Sequence, residues 1–406
     1  MAVGKANTNP IIPVDGITIG VGCAGIKKPN RQDLVVFQLA PGSSVAGVFT
    51  TNAFCAAPVT VAKEHLKQGD IRCLVINTGN ANAGTGQQGL DDAYETCARL
   101  AALKRIEPEQ VLPFSTGVIG EYLPMPAIAN ALPNVIAAMS PNHWPDAAQG
   151  ILTTDTRPKA CSRQFEFQDE TITVTGIAKG SGMIKPNMAT MLGFVATNAK
   201  VEPHILQQML TAANEHSFNR ITVDSDTSTN DACILVATGQ TEAPAIDSTD
   251  SDFYRHLLKT VSEVMLELAQ GVVRDGEGAT KFVEVAVEGA NTTDEALSVA
   301  YTIAHSPLVK TALTASDANW GRILAAVGRS GVQELNVSRV DIWLDNVQIV
   351  SNGERAKGYT EAAGSAVVAQ EEITIRVHLN RGDVSDRIWT TDLSHEYVSI
   401  NADYRS

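Results

Sequence analysis

Aromatic residues make up only 5% of this 406-residue chain, and cations are scarce: 31 Lys and Arg stand against 45 Asp and Glu, for a net charge of −14. The cation deficit argues against a nucleic-acid partner, which would call for a basic face. No apolar run reaches about 18 residues, so no membrane-spanning helix is expected. The opening residues, MAVGKANTNPIIPVDGITIG, carry no charged segment leading into an apolar one, which reads as no secretory signal. The six cysteines (Cys23, Cys55, Cys73, Cys97, Cys161, Cys233) are scattered, form no C-x-x-C and sit near no paired histidines. Neither a zinc site nor a disulfide framework follows, and reduced thiols in a cytoplasmic protein are the expectation. The eight histidines offer no H-E-x-x-H and none stands beside a G-x-S-x-G, so no metal is expected and a serine–histidine hydrolase finds no support. His305 and His378 read as structural or exposed. Repeats, low-complexity tracts and flexible linkers are also missing.

What is present is a soluble-type balance of 44% hydrophobic and 19% charged residues. At this length the chain exceeds one compact core, so two domains are expected. Strand-like and helix-like segments alternate. Arg72 to Asn77 is a short apolar run ending in a Gly/Asn loop, and Val111 to Phe114 is another. Thr171 to Thr175 and Leu192 to Ala196 read as strands, with Thr190 at the start of the latter. Asp91-Asp92 opens a helical pattern with Tyr94, Cys97, Ala98 and Ala101 on one face. Pro203 opens a helix carrying Ile205, Met209, Leu210 and Ala213, and a long amphipathic helix starts near Phe253. Phe282 to Val287, Val340 to Val350 and Ile373 to Leu379 read as strands. Ser306-Pro307 is an N-cap and first-turn pair. Gly276-Glu277-Gly278-Ala279 marks a boundary, dividing the chain into an N-terminal unit, 1–279, and a smaller C-terminal α/β unit, 280–406.

Three runs invite chemistry. Gly84-Thr85-Gly86-Gln87-Gln88-Gly89 fits G-x-G-x-x-G between a strand and a helix, the context of a dinucleotide site, but its first glycine lies seven residues beyond Asn77. A Gly/Asn loop in close backbone contact near an active site fits better than a nicotinamide-dependent dehydrogenase. Asp224 to Asp231 starts like a calcium loop, yet Thr229 stands where the turn glycine belongs and Leu235 where the bidentate glutamate belongs. A capped turn, or a polar network beneath a catalytic strand, is the alternative. Ser115-Thr116-Gly117 could supply a hydroxyl and a backbone N–H to a developing oxyanion, or be a simple turn after a strand.

The run Lys179-Gly180-Ser181-Gly182-Met183-Ile184-Lys185-Pro186-Asn187-Met188-Ala189-Thr190 carries the sharpest signal. An internal threonine is a poor nucleophile. Cutting the Ala189–Thr190 bond would give Thr190 an α-amine with an unperturbed pKa of about 7.7–8, a base on the same residue as the hydroxyl it activates.

Together with Asn77 to Gly86, Ser115 to Gly120, Thr222 to Asp231, Gly276 to Lys281 and Asp317-Ala318-Asn319-Trp320-Gly321-Arg322, this run makes the chain resemble the ornithine acetyltransferase (glutamate N-acetyltransferase) family of arginine biosynthesis. The matching runs span most of the chain. The resemblance implies an α+β, N-terminal-nucleophile-like layered α/β/β/α sandwich with a smaller C-terminal α/β domain. It also implies self-cleavage into an α chain, 1–189, and a β chain, 190–406, assembled as two of each. By the same resemblance Thr190 is the nucleophile, and Thr116 and Gly117 form the oxyanion hole. Thr153, Lys179, Glu277, Asn401 and Ser406 contact substrate, so the C-terminal tail returns to the site. The implied reaction moves the acetyl group of N2-acetyl-L-ornithine to L-glutamate, with no cofactor and with acetyl-CoA as a second acetyl donor. As a cation Lys179 suits a substrate carboxylate, and as an anion Glu277 suits the ornithine ammonium; either could instead be a surface residue. A related self-processing aminopeptidase would release ornithine whether or not glutamate is present. A non-catalytic binding protein would stay uncut.

Overall fold

The computed structural model describes residues 2–185 and 191–403. Two compact units emerge: one comprises Asn7–Asn219 with Asp226–Val272, the other Met1–Ala6, Arg220–Ser225 and Val273–Ser406.

Among the described residues the larger unit contains nine strands: β1 (Ile17–Gly22), β2 (Leu34–Leu39), β3 (Ser44–Phe49), β4 (Cys73–Asn80), β5 (Val111–Val118), β6 (Lys159–Phe167), β7 (Glu170–Lys179), β8 (Leu192–Thr197) and β9 (Ala232–Ala237). They form two sheets, ordered β1-β2-β4-β5 and β3-β9-β8-β7-β6. Its helices are α1 (Ala57–Gln68), α2 (Gly86–Lys104), α3 (Met125–Ala137), α4 (Trp144–Gly150), α5 (Pro203–Glu215) and α6 (Asp252–Arg274).

Alternation along each strand sets the layers, because successive side chains point to opposite faces. In β2, Val35 and Phe37 join Phe114 of β5 and Ile177, Phe194 and Ile234 of the other sheet in one core. Phe194 stacks on Phe37 at 5.7 Å and meets the edge of Phe114 at 5.2 Å, so three rings lock the sheets face to face. Each buried ring of this kind contributes roughly 1.5–3 kcal/mol. The opposite side chains of the first sheet, Leu34, Val36, Cys73 and Val75, pack on Cys97 and Leu100 of α2 and Ile128 and Leu132 of α3. On the outer face of the second sheet, α5 lies over β3 and β9. There Gly176 admits Val264 and Leu268 of α6 so closely that a Cβ would fall 2.9 Å from Leu268. The result is a layered α/β/β/α arrangement.

The smaller unit has a six-stranded sheet, β13-β12-β11-β14-β10-β15. Its strands are β10 (Phe282–Ala290), β11 (Asp341–Leu344), β12 (Val347–Ser351), β13 (Glu354–Arg355), β14 (Glu372–His378) and β15 (Val384–Thr391). Helices α7 (Thr293–Ala304), α8 (Pro307–Thr314), α9 (Trp320–Gly328) and α10 (Glu361–Val368) are followed by α11 (His395–Ala402). Val283, Val285, Ile375, Val377, Val299 and Ile303 share its core. The Ser306 side chain caps α8 by accepting from Val309 N–H, as its Ser-Pro start implies.

Local readings need correction in three places. The buried stripe of α2, which starts at Gly86 rather than Asp91, is Gly89, Ala93, Cys97, Leu100 and Ala101; Tyr94 and Ala98 face outward, each about 100° round the helix from Ala93 and Cys97. Val340 to Val350 is a hairpin turning at Asp345-Asn346, with Asp345 in the left-handed region at φ 48°. Ser115 to Gly117 is no turn, since β5 runs through to Val118. Among the described residues no helix is long and apolar enough to cross a membrane.

Candidate active site

Thr116 and Gly117 lie near the end of β5, whose parallel pairing with β4 shifts register at Gly79/Asn80. Gly117 adopts φ 137°, and a Cβ there would come within 2.3 Å of the Gly79 carbonyl carbon. Only glycine tolerates that close approach, and such ladder irregularities re-aim backbone groups beside functional sites. Lys179 is the last residue of β7 in the facing sheet. It is buried, and its Nζ donates to Thr116 Oγ1 at 3.2 Å. A lysine ammonium only donates, so Thr116 accepts here and its own O–H proton remains free to point elsewhere.

Asn230, just before β9, reinforces the same end of the sandwich. Its Nδ2 donates to Ser115 O at 2.9 Å and to Ala81 O at 2.6 Å. The hydroxyl-rich run Asp224 to Asp231 therefore supplies a polar network rather than a calcium loop. Asp231 follows, buried beside Met191, whose carbonyl accepts from Ala232 N–H at 3.0 Å. Burial pushes the Asp231 carboxyl well above the ordinary range, against the opposing hydrogen bonds of Ser228 and the Lys179 charge. Among the described residues its Oδ2 has no hydrogen-bond partner.

Thr153 lies between α4 and β6, and its N–H donates to Asp155 Oδ2 at 3.1 Å. Asp155 Oδ1 accepts from Gly180 N–H at 2.8 Å and from Lys159 Nζ. Burial would raise this carboxyl, but the Lys159 and Lys179 charges and these hydrogen bonds hold it well below the carboxylate range. Thr116, Gly117, Thr153 and Lys179 are thus joined through one polar network.

In the smaller unit, Glu277 is buried and its Oε2 accepts from Asn401 Nδ2 at 2.8 Å. The Gly276–Ala279 loop seats α11 directly: Ser394 Oγ donates to Gly278 O at 2.6 Å, and a Cβ on Gly278 would meet Tyr397 N at 2.4 Å. Asp392 anchors the next residues, accepting from Thr280 N–H at 2.8 Å and Lys281 N–H at 3.0 Å. Thr314 Oγ1 on α8 also donates to Asp392, at 2.9 Å. Buried Lys310 donates to Thr390 and Thr391; burial pulls it down to about 8, against the pull of Asp392 and Asp224. His305 bonds Thr222 at 3.0 Å. Lys179 and Glu277 are therefore interior residues, not surface ones. Ala189, Thr190 and Ser406 lie outside the described residues.

Asp155, Asn230, Asp231 and Asp392 escape a motif search. Asp155 and Lys159 do stand four apart, and Asn230-Asp231 ends the run already singled out, but neither pattern specifies a partner. The G-x-G-x-x-G loop is occupied by its own side chains. Asn82 Nδ2 donates to Gly89 O, Thr85 Oγ1 donates to Asn82 Oδ1, and a Cβ on Gly89 would fall 1.9 Å from Thr85 Oγ1. Its glycine serves that packing rather than a pyrophosphate. All six cysteines are free, and no cluster of three or more metal-ligating side chains occurs among the described residues.

Residues 18–406 match the ArgJ family. Over 406 residues, all of both chains, this chain is 57% identical to the arginine biosynthesis bifunctional protein ArgJ of Pseudomonas fluorescens (strain Pf0-1). It is 54% identical over 407 residues, again all of both chains, to the protein of the same name from Psychrobacter arcticus (strain DSM 17307 / VKM B-2377 / 273-4). The crystal structure of the Bacillus halodurans arginine biosynthesis bifunctional protein ArgJ matches with 39% identity and a TM-score of 0.49, covering 52% of this chain and 97% of that one. The protein is an enzyme, an acetyltransferase of arginine biosynthesis. It belongs to the ArgJ family.

Proposed function

We propose that this enzyme moves the acetyl group of N2-acetyl-L-ornithine to L-glutamate by ping-pong transfer through an acetyl ester on Thr190. The chain first cuts itself between Ala189 and Thr190, as the Thr190 hydroxyl attacks the Ala189 carbonyl carbon and water releases the resulting ester. The freed α-amine then takes the hydroxyl proton, and the hydroxyl oxygen attacks the acetyl carbon. Thr116 O–H and Gly117 N–H hold the oxyanion. The C–N bond breaks, ornithine leaves with the proton from the α-ammonium, and the amine of L-glutamate attacks the ester to give N-acetyl-L-glutamate.

Lys179 holds the substrate carboxylate. Glu277, with Asn401, receives the ornithine ammonium, and Thr153 and Ser406 complete the contacts. No cofactor takes part; acetyl-CoA serves as a second acetyl donor. The mature enzyme is a cytoplasmic assembly of two α chains, 1–189, and two β chains, 190–406, over the domain division at 279/280.

The observation that supports this reading most is the Lys179 Nζ to Thr116 Oγ1 bond at 3.2 Å. It occupies one acceptor position of the hydroxyl and leaves its proton for an oxyanion, next to a glycine whose backbone approach admits no side chain. Removing a single such donor costs about 10²–10³ in kcat, and Thr116→Ala is expected to fall in that range with a smaller change in KM. The decisive experiment is the intact mass of purified protein under denaturing conditions, alongside an acetyl-transfer assay. Two chains split at 189/190 with glutamate-dependent ornithine release support the scheme, and Thr190→Ala should block both. A single full-length mass from active protein overturns it.

A further inference from the structure

Two loops that approach the candidate site from different parts of the chain are tied together by one carboxylate. Asp155 Oδ2 accepts from Thr153 N–H at 3.1 Å, and Oδ1 from Gly180 N–H at 2.8 Å. A second tie runs parallel to it, between Thr154 Oγ1 and Ser181 Oγ at 2.7 Å. The side chain of Asp155 is fully buried, as is nearly all of its partner Lys159. Lys159 opens β6 and Lys179 closes β7, and the antiparallel register sets Lys159 opposite Ala178. The two lysines thus stand at one end of a single hairpin, with Asp155 between the loops that leave it. A salt bridge built only to neutralise Lys159 would have no need to accept two backbone N–H groups from separate loops. A carboxylate with two oxygens can do both, and its rigidity passes to what it holds.

We propose that Asp155 is a positioning residue for carboxylate recognition, holding the Thr153 loop and the Lys179–Gly180 turn in the one arrangement that grips the α-carboxylate of both substrates. The proposal rests on the reading that Lys179 binds that carboxylate. Asp155 touches no substrate; it fixes the direction from which the Lys179 ammonium and the Thr153 hydroxyl are presented. Both half-reactions use an amino acid bearing an α-carboxylate, so one positioning residue acts on donor and acceptor alike.

The test compares the mature full-length enzyme with Asp155→Asn, Asp155→Asn/Lys159→Met and Asp155→Glu. Intact mass reports maturation, thermal unfolding reports stability, and initial rates give KM for N2-acetyl-L-ornithine and for L-glutamate. The double variant removes both buried charges together, so the broken ion pair of the single variant no longer clouds the result. The expectation is recovered thermal stability with KM for both substrates still raised about tenfold, the loss of one well-aligned charged contact. Wild-type KM values in the double variant would reduce Asp155 to the counter-charge of Lys159 and overturn the proposal. Should the double variant fail to mature, Asp155→Glu decides the matter, since it keeps the charge and displaces the oxygens by one methylene. Raised KM supports positioning, and unchanged KM overturns it. Lys179→Ala separates the two levels: if it leaves KM for both substrates unchanged, the reading of Lys179 fails, whatever Asp155 does.

Discussion

Asp155 and Asp231 lie in the same unit, are both buried, and both feel the charge of Lys179, yet their carboxyls shift in opposite directions. Asp155 faces two lysines and accepts from Lys159 Nζ and the N–H groups of Thr153 and Gly180. Asp231 has hydrogen bonds from Ser228, while its Oδ2 has none among the described residues. Burial penalises the charged form equally in kind at both places; the count of aligned donors decides which form survives. An ionised carboxylate can bind loops together by collecting N–H groups. A carboxyl short of aligned donors, just before β9, is pushed toward its protonated form instead.

The largest effect expected from breaking this contrast is on Asp155. Asp155→Asn removes the buried carboxylate that pairs with Lys159, and should cost about 3–5 kcal/mol in denaturant unfolding. The folded carboxyl sits below its unfolded value, so its stabilisation is full above about pH 4, the ordinary carboxylate pKa, and is lost as pH falls further. Wild type and variant should therefore converge in acid; a gap that stayed constant with pH would deny Asp155 its ionised state. A smaller loss is expected at Asn230. Asn230→Ala removes the donor shared by Ser115 O and Ala81 O and should cost roughly 1–3 kcal/mol. It should also lower kcat, because Ser115 precedes Thr116. Unchanged kcat with lowered stability would separate the network from the site.

The smallest effect, and of opposite sign, is expected at Asp231. Its folded carboxyl is raised, so the protonated form contributes fully below the unfolded pKa, near 4, and that contribution is lost as pH rises toward the folded value. Asp231→Asn keeps a neutral side chain of the same shape. It should match wild type in acid and become progressively more stable than wild type toward neutral and alkaline pH, read as melting temperature against pH. A destabilisation that grows with pH would show Asp231 to be ionised and paired.

Sequence and structure meet unevenly over these residues. The strands over 171–175, 192–196 and 282–287 and the helices near Pro203 and Phe253 were legible because hydrophobic periodicity is local: a half-buried strand or amphipathic helix writes its face into neighbouring residues. The face of α2 was misread because its alanines lie on both the buried and the exposed sides, so these small apolar residues do not mark which side packs. Lys179, Glu277 and Asn401 were singled out through the family resemblance, since a lysine or glutamate looks the same in solvent and in the core, whereas Thr116 also stood out in the local run Ser115-Thr116-Gly117. The sequence by itself determined the elements, the run around Thr190 and the absence of zinc-type and disulfide-type cysteine patterns. Only the tertiary structure decided that Lys179 meets Thr116 across two sheets, that Asn401 meets Glu277, and that of two buried aspartates one has its carboxyl lowered and the other raised. The Gly180, Lys179 and Asn401 donors lie 25, 63 and 124 positions from their acceptors, and no local pattern encodes a hydrogen bond whose partner arrives only when the chain packs.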